Sequence, residues 1–188
     1  MAVESSYKLA LGAEAPPFNL PDTVSGETLS LDRVRSPKAT VIMFLCNHCP
    51  YVKHVNPEIV RLANEYIPKG ISFVGISSND VEQYPEDGPE EMKKKAKELG
   101  YIFPYLYDET QEVARAYDAA CTPDFYVFDD SLRLVYHGQL DDSRASGANT
   151  ILTGKDLRNV LNNMLEGKAV PEFQRPSIGC SIKWKKDF

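Results

Sequence analysis

The hydrophobic pattern of the chain alternates between two periods. Ala39-Thr40-Val41-Ile42-Met43-Phe44-Leu45 is nearly unbroken in its apolar character, and Gly70 to Ile76 repeats the pattern; both read as strands buried on two faces. Between them, Tyr51 to Tyr66 has helical spacing, with Pro57 inside it removing one amide and predicting a kink or break. Pro89 to Leu99 predicts a second helix: proline and acidic residues at its start, lysines later, Gly100 at its stop. Phe103 to Tyr107 is a short strand or extended link, and Asp108 can cap a helix running through Val113, Ala114 and Tyr117. Phe125 to Asp129 and Leu132 to His137 form a hairpin around a tight turn. Leu157, Val160, Leu161, Met164 and Leu165 make the stripe of a last helix ended by Gly167. Upstream, Phe18 to Asp22 and Thr28 to Leu31 flank a turn at Ser25-Gly26-Glu27, an N-terminal β-hairpin. The order predicts one α/β domain over 1–188, a layered sandwich on a mixed sheet. Residues 168–188 have no strong period and read as an irregular tail packed on it.

Composition narrows the function classes. The apolar share of 43% and charged share of 26% describe an ordinary soluble globule, and the net charge of −6 argues against a nucleic-acid surface. The basic cluster Lys93-Lys94-Lys95-Lys97 lies among glutamates and reads as a solvated helix face. No run approaches the ~18 apolar residues of a membrane span, and the first residues do not resemble a secretory signal. The expected location is therefore the cytoplasm, where four cysteines are more naturally catalytic, metal-binding or inert than permanently bridged.

The chemistry concentrates where the first buried strand meets the first helix, at Cys46-Asn47-His48-Cys49. Free amides and the dipole at a helix start favour negative charge, so a thiolate is favoured there. Cys46 is expected to ionise readily and attack a disulfide, with Cys49 resolving the intermediate. The competing reading is half a zinc site, but the other candidates, Cys121, Cys180, His137 and remotely His54, are isolated in sequence. No metal and no cofactor are therefore expected. His48 either tunes the thiolate or merely faces solvent. Cys121 is either a third redox thiol or a small buried apolar residue, and Cys180 can return to Cys121 or reach the site.

The hairpin, the segment Phe44-Leu45-Cys46-Asn47-His48-Cys49-Pro50, the segment Cys121-Thr122-Pro123-Asp124-Phe125 and Gly138 to Ser143 together resemble the peroxiredoxin-like, AhpC/TSA-related branch of the thioredoxin superfamily. That resemblance implies a thioredoxin-like three-layer α/β/α sandwich, with Thr122 and a cis Pro123 facing the cysteine pair. A proline there would offer a backbone edge to an extended substrate. The resemblance also implies thiol–disulfide exchange with protein or small-molecule partners, in a monomer or homodimer without nucleic acid or membrane. The alternative it implies is a thiol-dependent peroxidase with an antioxidant role. In a peroxiredoxin's P-x-x-x-T-x-x-C motif Cys49 would take the peroxidatic position and Cys46 that of the threonine. The threonine and later arginine that activate peroxide in that family have no counterpart here. His48 in the motif predicts a site more oxidising than thioredoxin.

Overall fold

The computed structural model describes residues 1–5, 8–146 and 151–186. Its centre is a five-stranded sheet in the order β6-β5-β4-β8-β9, with β4 (Ala39–Phe44), β5 (Ile71–Ser77), β6 (Tyr105–Tyr107), β8 (Asp124–Phe128) and β9 (Leu134–Gly138). The pairs β4–β5 and β5–β6 are parallel; β4–β8 and β8–β9 are antiparallel. This is the mixed sheet the pattern predicts.

Strand β4 shows why the sequence alternation vanishes at the centre. Val41, Met43 and Leu45 face one core; Ile42 and Phe44 face the other; all are fully buried. On the first face lie α2 (Pro50–Tyr66), α3 (Pro89–Leu99) and α5 (Lys155–Leu165), which contribute Ile59 and Leu62, Met92 and Ala96, and Leu157 and Leu161. On the second lie α1 (Leu31–Val34), α4 (Glu112–Ala116) and the hairpin of β2 (Asn19–Pro21) and β3 (Thr28–Ser30). Three layers result. Pro57 does not break α2, which runs continuously through it. Asp108 delivers its expected cap from a distance: its carboxylate accepts the amides of Val113 and Ala114, although Gln111 is the residue at the helix boundary. Among the described residues no helix is long and apolar enough to cross a membrane.

The tail departs from the expected irregular course. Ile178–Ser181 forms a strand, β10, at the centre of a second, antiparallel sheet between β1 (Ala2–Glu4) and β7 (Cys121–Thr122). The backbone amides of Ile182 and Lys183 then donate to the Ala120 carbonyl and to Asn79 Oδ1, and Gln111 Nε2 donates to the Lys183 carbonyl. The two chain ends are thus sewn onto the edge of the molecule next to residue 123.

Candidate active site

The cysteine pair sits where β4 gives way to α2. The Leu45 amide still donates to Ile76 of the neighbouring strand. Cys46 to Cys49 then turn, and the helix starts at Pro50 with Cys49 in extended conformation as its N-terminal cap. This corrects the expectation for Cys46: the residue at the helix start is Cys49, and Cys46 lies three residues upstream. Proline tolerates the first helical position because the amide it lacks would have no partner there. Both cysteines are buried, with 2% of Cys46 and none of Cys49 exposed.

Thr122 lies against both sulfurs. Its hydroxyl is 3.2 Å from Cys46 Sγ, and its carbonyl oxygen is 3.3 Å from Cys49 Sγ, whose protonated form donates to it. The Thr122–Pro123 peptide is cis, as the resemblance implied.

A buried carboxylate holds the turn between the cysteines. Asp87, fully buried, accepts the backbone amides of Asn47 and His48 at 2.7 and 3.1 Å through Oδ1. Through Oδ2 it accepts Asn79 Nδ2 at 2.9 Å and pairs with His48 Nδ1 at 2.5 Å. Asn47 is further fixed by donating to the Glu86 carbonyl and accepting from Tyr105. The His48 ring stacks on Tyr84 at 4.5 Å between centroids. His48 is therefore half-buried and held by a partner, which replaces the solvent-facing alternative. Exchanging Asp87 for asparagine presents an amide to donors that expect an acceptor, so Asp87→Asn should lower stability by about 2 kcal/mol in urea unfolding.

One group of possible metal ligands exists among the described residues: Cys46, His48 and Asp87 offer atoms within 4.8 Å of one another. Both Asp87 oxygens are already engaged, and His48 Nδ1 is turned to Asp87, so these atoms form a closed hydrogen-bonded set rather than an open ligand sphere.

The other two cysteines are separated by the register of β10 against β7. Cys180 stands opposite Thr122, and Ser181 opposite Cys121. Neighbouring residues in a strand point to opposite faces. Cys180 thus shares the face on which Thr122 meets Cys46, and it packs against the core cluster that holds Cys46 and Cys49. Cys121, fully buried, instead directs its sulfur toward the carbonyls of Pro123 and Ser177 at 3.9 and 4.0 Å. Of the two courses open to Cys180, the register sets it on the face of Thr122 that meets the cysteine pair, with Cys121 on the opposite face. Gly179 makes this possible: a Cβ there would lie 2.0 Å from the Thr122 carbonyl oxygen.

The charge of the sulfur cluster also differs from expectation. Cys46 donates its thiol hydrogen bond to Cys49, which pushes Cys49 well below the usual thiol range; the Cys180 thiol and the amides of Val52 and Cys180 act in the same direction. The same bond, burial and the nearby Asp87 charge push Cys46 far up. Burial pushes Cys121 up, and burial with the bond to Cys49 raises Cys180 to about 11. The thiol of the cluster that is pushed down is thus Cys49, not Cys46. Because a lowered pKa means the charged form is already present below the ordinary value, one thiolate per chain should titrate below ~8.5. Ultraviolet thiolate absorbance against pH checks this, and the early step should vanish in Cys49→Ser.

Sequence reasoning found Cys46, His48, Cys49, Thr122 and Pro123 but missed Asp87, Asn79 and Tyr105. Asn79 carried a usable signal, since it follows the C-terminal end of a buried parallel strand, where α/β sheets place their ligand sites. Asp87, in an aperiodic polar loop, carried none.

Comparison with known proteins places this arrangement. Among solved structures, an uncharacterized conserved protein from Geobacillus kaustophilus is 63% identical over 100% of this chain and 98% of its own, with a TM-score of 0.97. A hypothetical protein from Sinorhizobium meliloti 1021 is 41% identical over 98% and 99%, TM-score 0.93. The thioredoxin domain of a thiol-disulfide oxidoreductase from Bacteroides vulgatus is 20% identical over 84% and 99%, TM-score 0.65, a likeness of fold. The sandwich with its N-terminal hairpin is thus thioredoxin-like. No curated protein matches. The profile of the AhpC/TSA family matches residues 11–137, and the chain belongs to that family.

Proposed function

We propose that the protein is a thiol–disulfide oxidoreductase that cycles Cys46 and Cys49 between dithiol and disulfide. The observation that carries this reading is geometric: two free cysteines at a strand-to-helix turn, with the Thr122 hydroxyl 3.2 Å from one sulfur and its carbonyl oxygen 3.3 Å from the other. The thioredoxin-domain oxidoreductase from Bacteroides vulgatus supports it by fold.

The chemistry follows from the charge distribution. Cys49 thiolate takes the proton of Cys46 as Cys46 Sγ forms a bond to one substrate sulfur; the substrate S–S bond breaks and its second sulfur leaves as a thiolate, taking up a proton. Cys49, deprotonated again, attacks Cys46 Sγ, forms the Cys46–Cys49 disulfide and releases the first substrate sulfur as a thiol. The substrate gains two electrons and the pair loses two. Cys46 is the weaker acid and so the more intrinsically nucleophilic thiolate once its proton has moved. Asp87 and His48 hold the turn between the two sulfurs. The edge that would align an extended substrate at Thr122 is occupied by β10. The cleft beside Pro123 is lined by Tyr51, His54, Gln139, Ser143 and Arg144 and by neither cysteine, so exchange with a substrate requires β10 to yield that edge. The cellular setting we propose is the reducing cytoplasm, where a reducing partner restores the dithiol.

A second reading is peroxide reduction: Cys49, in the peroxidatic position, caps the start of α2, and Cys46 together with the amides of Val52 and Cys180 pushes its thiol down. There Cys49 would attack one peroxide oxygen, the O–O bond would break with the other oxygen leaving as water, and condensation of the sulfenic acid with Cys46 would form the disulfide and release a second water. Parallel assays with dithiothreitol decide between them. Reduction of insulin or of a small disulfide with slow peroxide consumption supports the first reading; rapid peroxide loss without disulfide reduction reverses the order.

A further inference from the structure

The redox reading leaves two sulfurs unused, and Cys121 is directed away from the pair, toward the Pro123 and Ser177 carbonyls, which leaves Cys180. Cys180 lies in a strand whose neighbours fix it from three sides. Ala2 pairs with it across β1, Thr122 pairs with it across β7, and Gly179 lets the strand settle directly against the Thr122 carbonyl. The strand also reports to the cysteine turn. Asn79 Oδ1 accepts the Lys183 amide just beyond β10, while its Nδ2 donates to Asp87. In a thioredoxin-like site the edge at Thr122 is where an extended disulfide substrate would lie. Here the chain supplies its own strand at that edge, with a cysteine directly opposite Thr122.

We propose that Cys180 is the built-in exchange partner of this pair, taking the disulfide from Cys46–Cys49 to give Cys49–Cys180. The inference rests on the redox reading of that pair. The Cys180 sulfur attacks Cys49 Sγ; the S–S bond to Cys46 breaks as the bond to Cys180 forms; the proton lost by Cys180 goes to Cys46. No electrons enter or leave, so the step needs no oxidant beyond the disulfide that first oxidised the pair. Cys49 Sγ lies 3.3 Å from the Thr122 carbonyl oxygen, and Cys180 stands directly opposite Thr122 and packs against the cluster that holds both cysteines of the pair. The direction matters because Cys180 is half-buried whereas Cys46 and Cys49 are sealed. Transfer to Cys180 brings the disulfide to the sulfur nearest solvent, where a small thiol of the glutathione class can reduce it without β10 leaving its sheet.

The test is a pulse of oxidised glutathione given to the wild-type chain, Cys46→Ser and Cys180→Ser, quenched with N-ethylmaleimide and mapped by mass spectrometry without reduction. A Cys46–Cys49 disulfide lies within one tryptic peptide, whereas Cys49–Cys180 joins two. In Cys46→Ser the joined peptide should exceed the Cys49–glutathione adduct roughly tenfold or more, because the internal thiol acts at a higher effective concentration. In the wild-type chain it should appear beside the Cys46–Cys49 form. Joined peptides absent from both proteins overturn the proposal, whether Cys49 is glutathionylated or free. The wild-type arm decides if Cys46→Ser does not fold. Cys180→Ser separates the two ideas: a Cys46–Cys49 disulfide forming there without joined peptides elsewhere sinks only this inference. Failure of that disulfide in both Cys180→Ser and the wild-type chain sinks the redox reading itself.

Discussion

Replacing Cys49 by serine should lower disulfide-reductase turnover by about 10³-fold or more, and Cys46→Ser should do the same, because two residues acting as one unit are each indispensable. The two losses differ in kind. Without Cys49, the base that takes the Cys46 proton and the group that resolves the mixed disulfide disappear together, so what turnover begins should end in a stable covalent adduct with the substrate. That adduct makes Cys49→Ser the variant for capturing partners. Without Cys46 no substrate adduct should form at Cys46's position, while the Cys49 thiolate loses its foremost hydrogen-bond donor and should titrate closer to the ordinary thiol value. Turnover within about twofold of the unsubstituted chain for either variant would contradict the paired role. The measurement is turnover with a small disulfide, together with intact mass of the protein after one addition of substrate.

The second large effect is expected far along the chain. Gly179→Ala should cost about 3 kcal/mol in urea unfolding, near the upper end of what overpacking exacts. The added carbon meets backbone, the Thr122 carbonyl oxygen at 2.0 Å and its carbon at 2.6 Å, and backbone in the middle of a strand cannot turn aside as a side chain can. Strand β10 must then lift from β7. The Ile182 amide's bond to Ala120 and the Lys183 amide's bond to Asn79 both follow in sequence and would be strained with it. The same lift withdraws the amide and thiol of Cys180 from Cys49, so the Cys49 thiolate should become harder to form. Stability and thiolate titration should therefore shift together. A variant within ~0.5 kcal/mol of the parent, with an unchanged early titration, would show that β10 does not bear on the sulfurs.

These effects indicate which parts of the molecule local sequence could reveal. Strand β4 and the helix after it were legible because burial on both faces and a 3.6-residue period are written in residue order. The cysteine pair was legible because its spacing is short. Thr122-Pro123 was recognised by resemblance, since nothing in those two residues alone distinguishes them. The sulfur that is pushed down was obscured because Cys46 was expected at the helix start, whereas Cys49 caps the helix and Cys46 lies three residues upstream. Pro50 was the available clue, because proline at the first helical position makes the residue before it the cap. Strand β10 was hidden for another reason. Ile178-Gly179-Cys180-Ser181 has a glycine at its heart, and glycine in a strand weakens the local pattern while marking close backbone approach. Its partners, β1 and β7, lie 176 and 57 residues upstream when counted from Ala2 and Cys121 to Ile178, beyond the reach of any local period. Asp87 lies further still from sequence logic, because a carboxylate collecting four donors looks, in the chain, like any acidic loop residue.

The buried pairs away from the cysteines bear on rigidity. Asp124 and His137 meet at 2.9 Å beneath the β8–β9 hairpin, with Tyr126 stacked on the imidazole. Glu58 of α2 is clamped by Arg61 and Arg158, which ties α2 to α5. They fix α2, which Cys49 caps, and β8, which follows Thr122 directly after Pro123.

The most direct measurement is a redox titration of the purified chain in glutathione or dithiothreitol buffers, with Cys46, Cys49 and Cys180 followed separately by alkylation and mass. The account predicts a reversible two-electron transition confined to these three sulfurs, with Cys121 reduced throughout. Stabilisation of the Cys49 thiolate should place its midpoint above ~−270 mV, the value of thioredoxin. Cysteines that stay reduced across the buffer range, or that yield only scattered glutathione adducts with no internal disulfide, would contradict it.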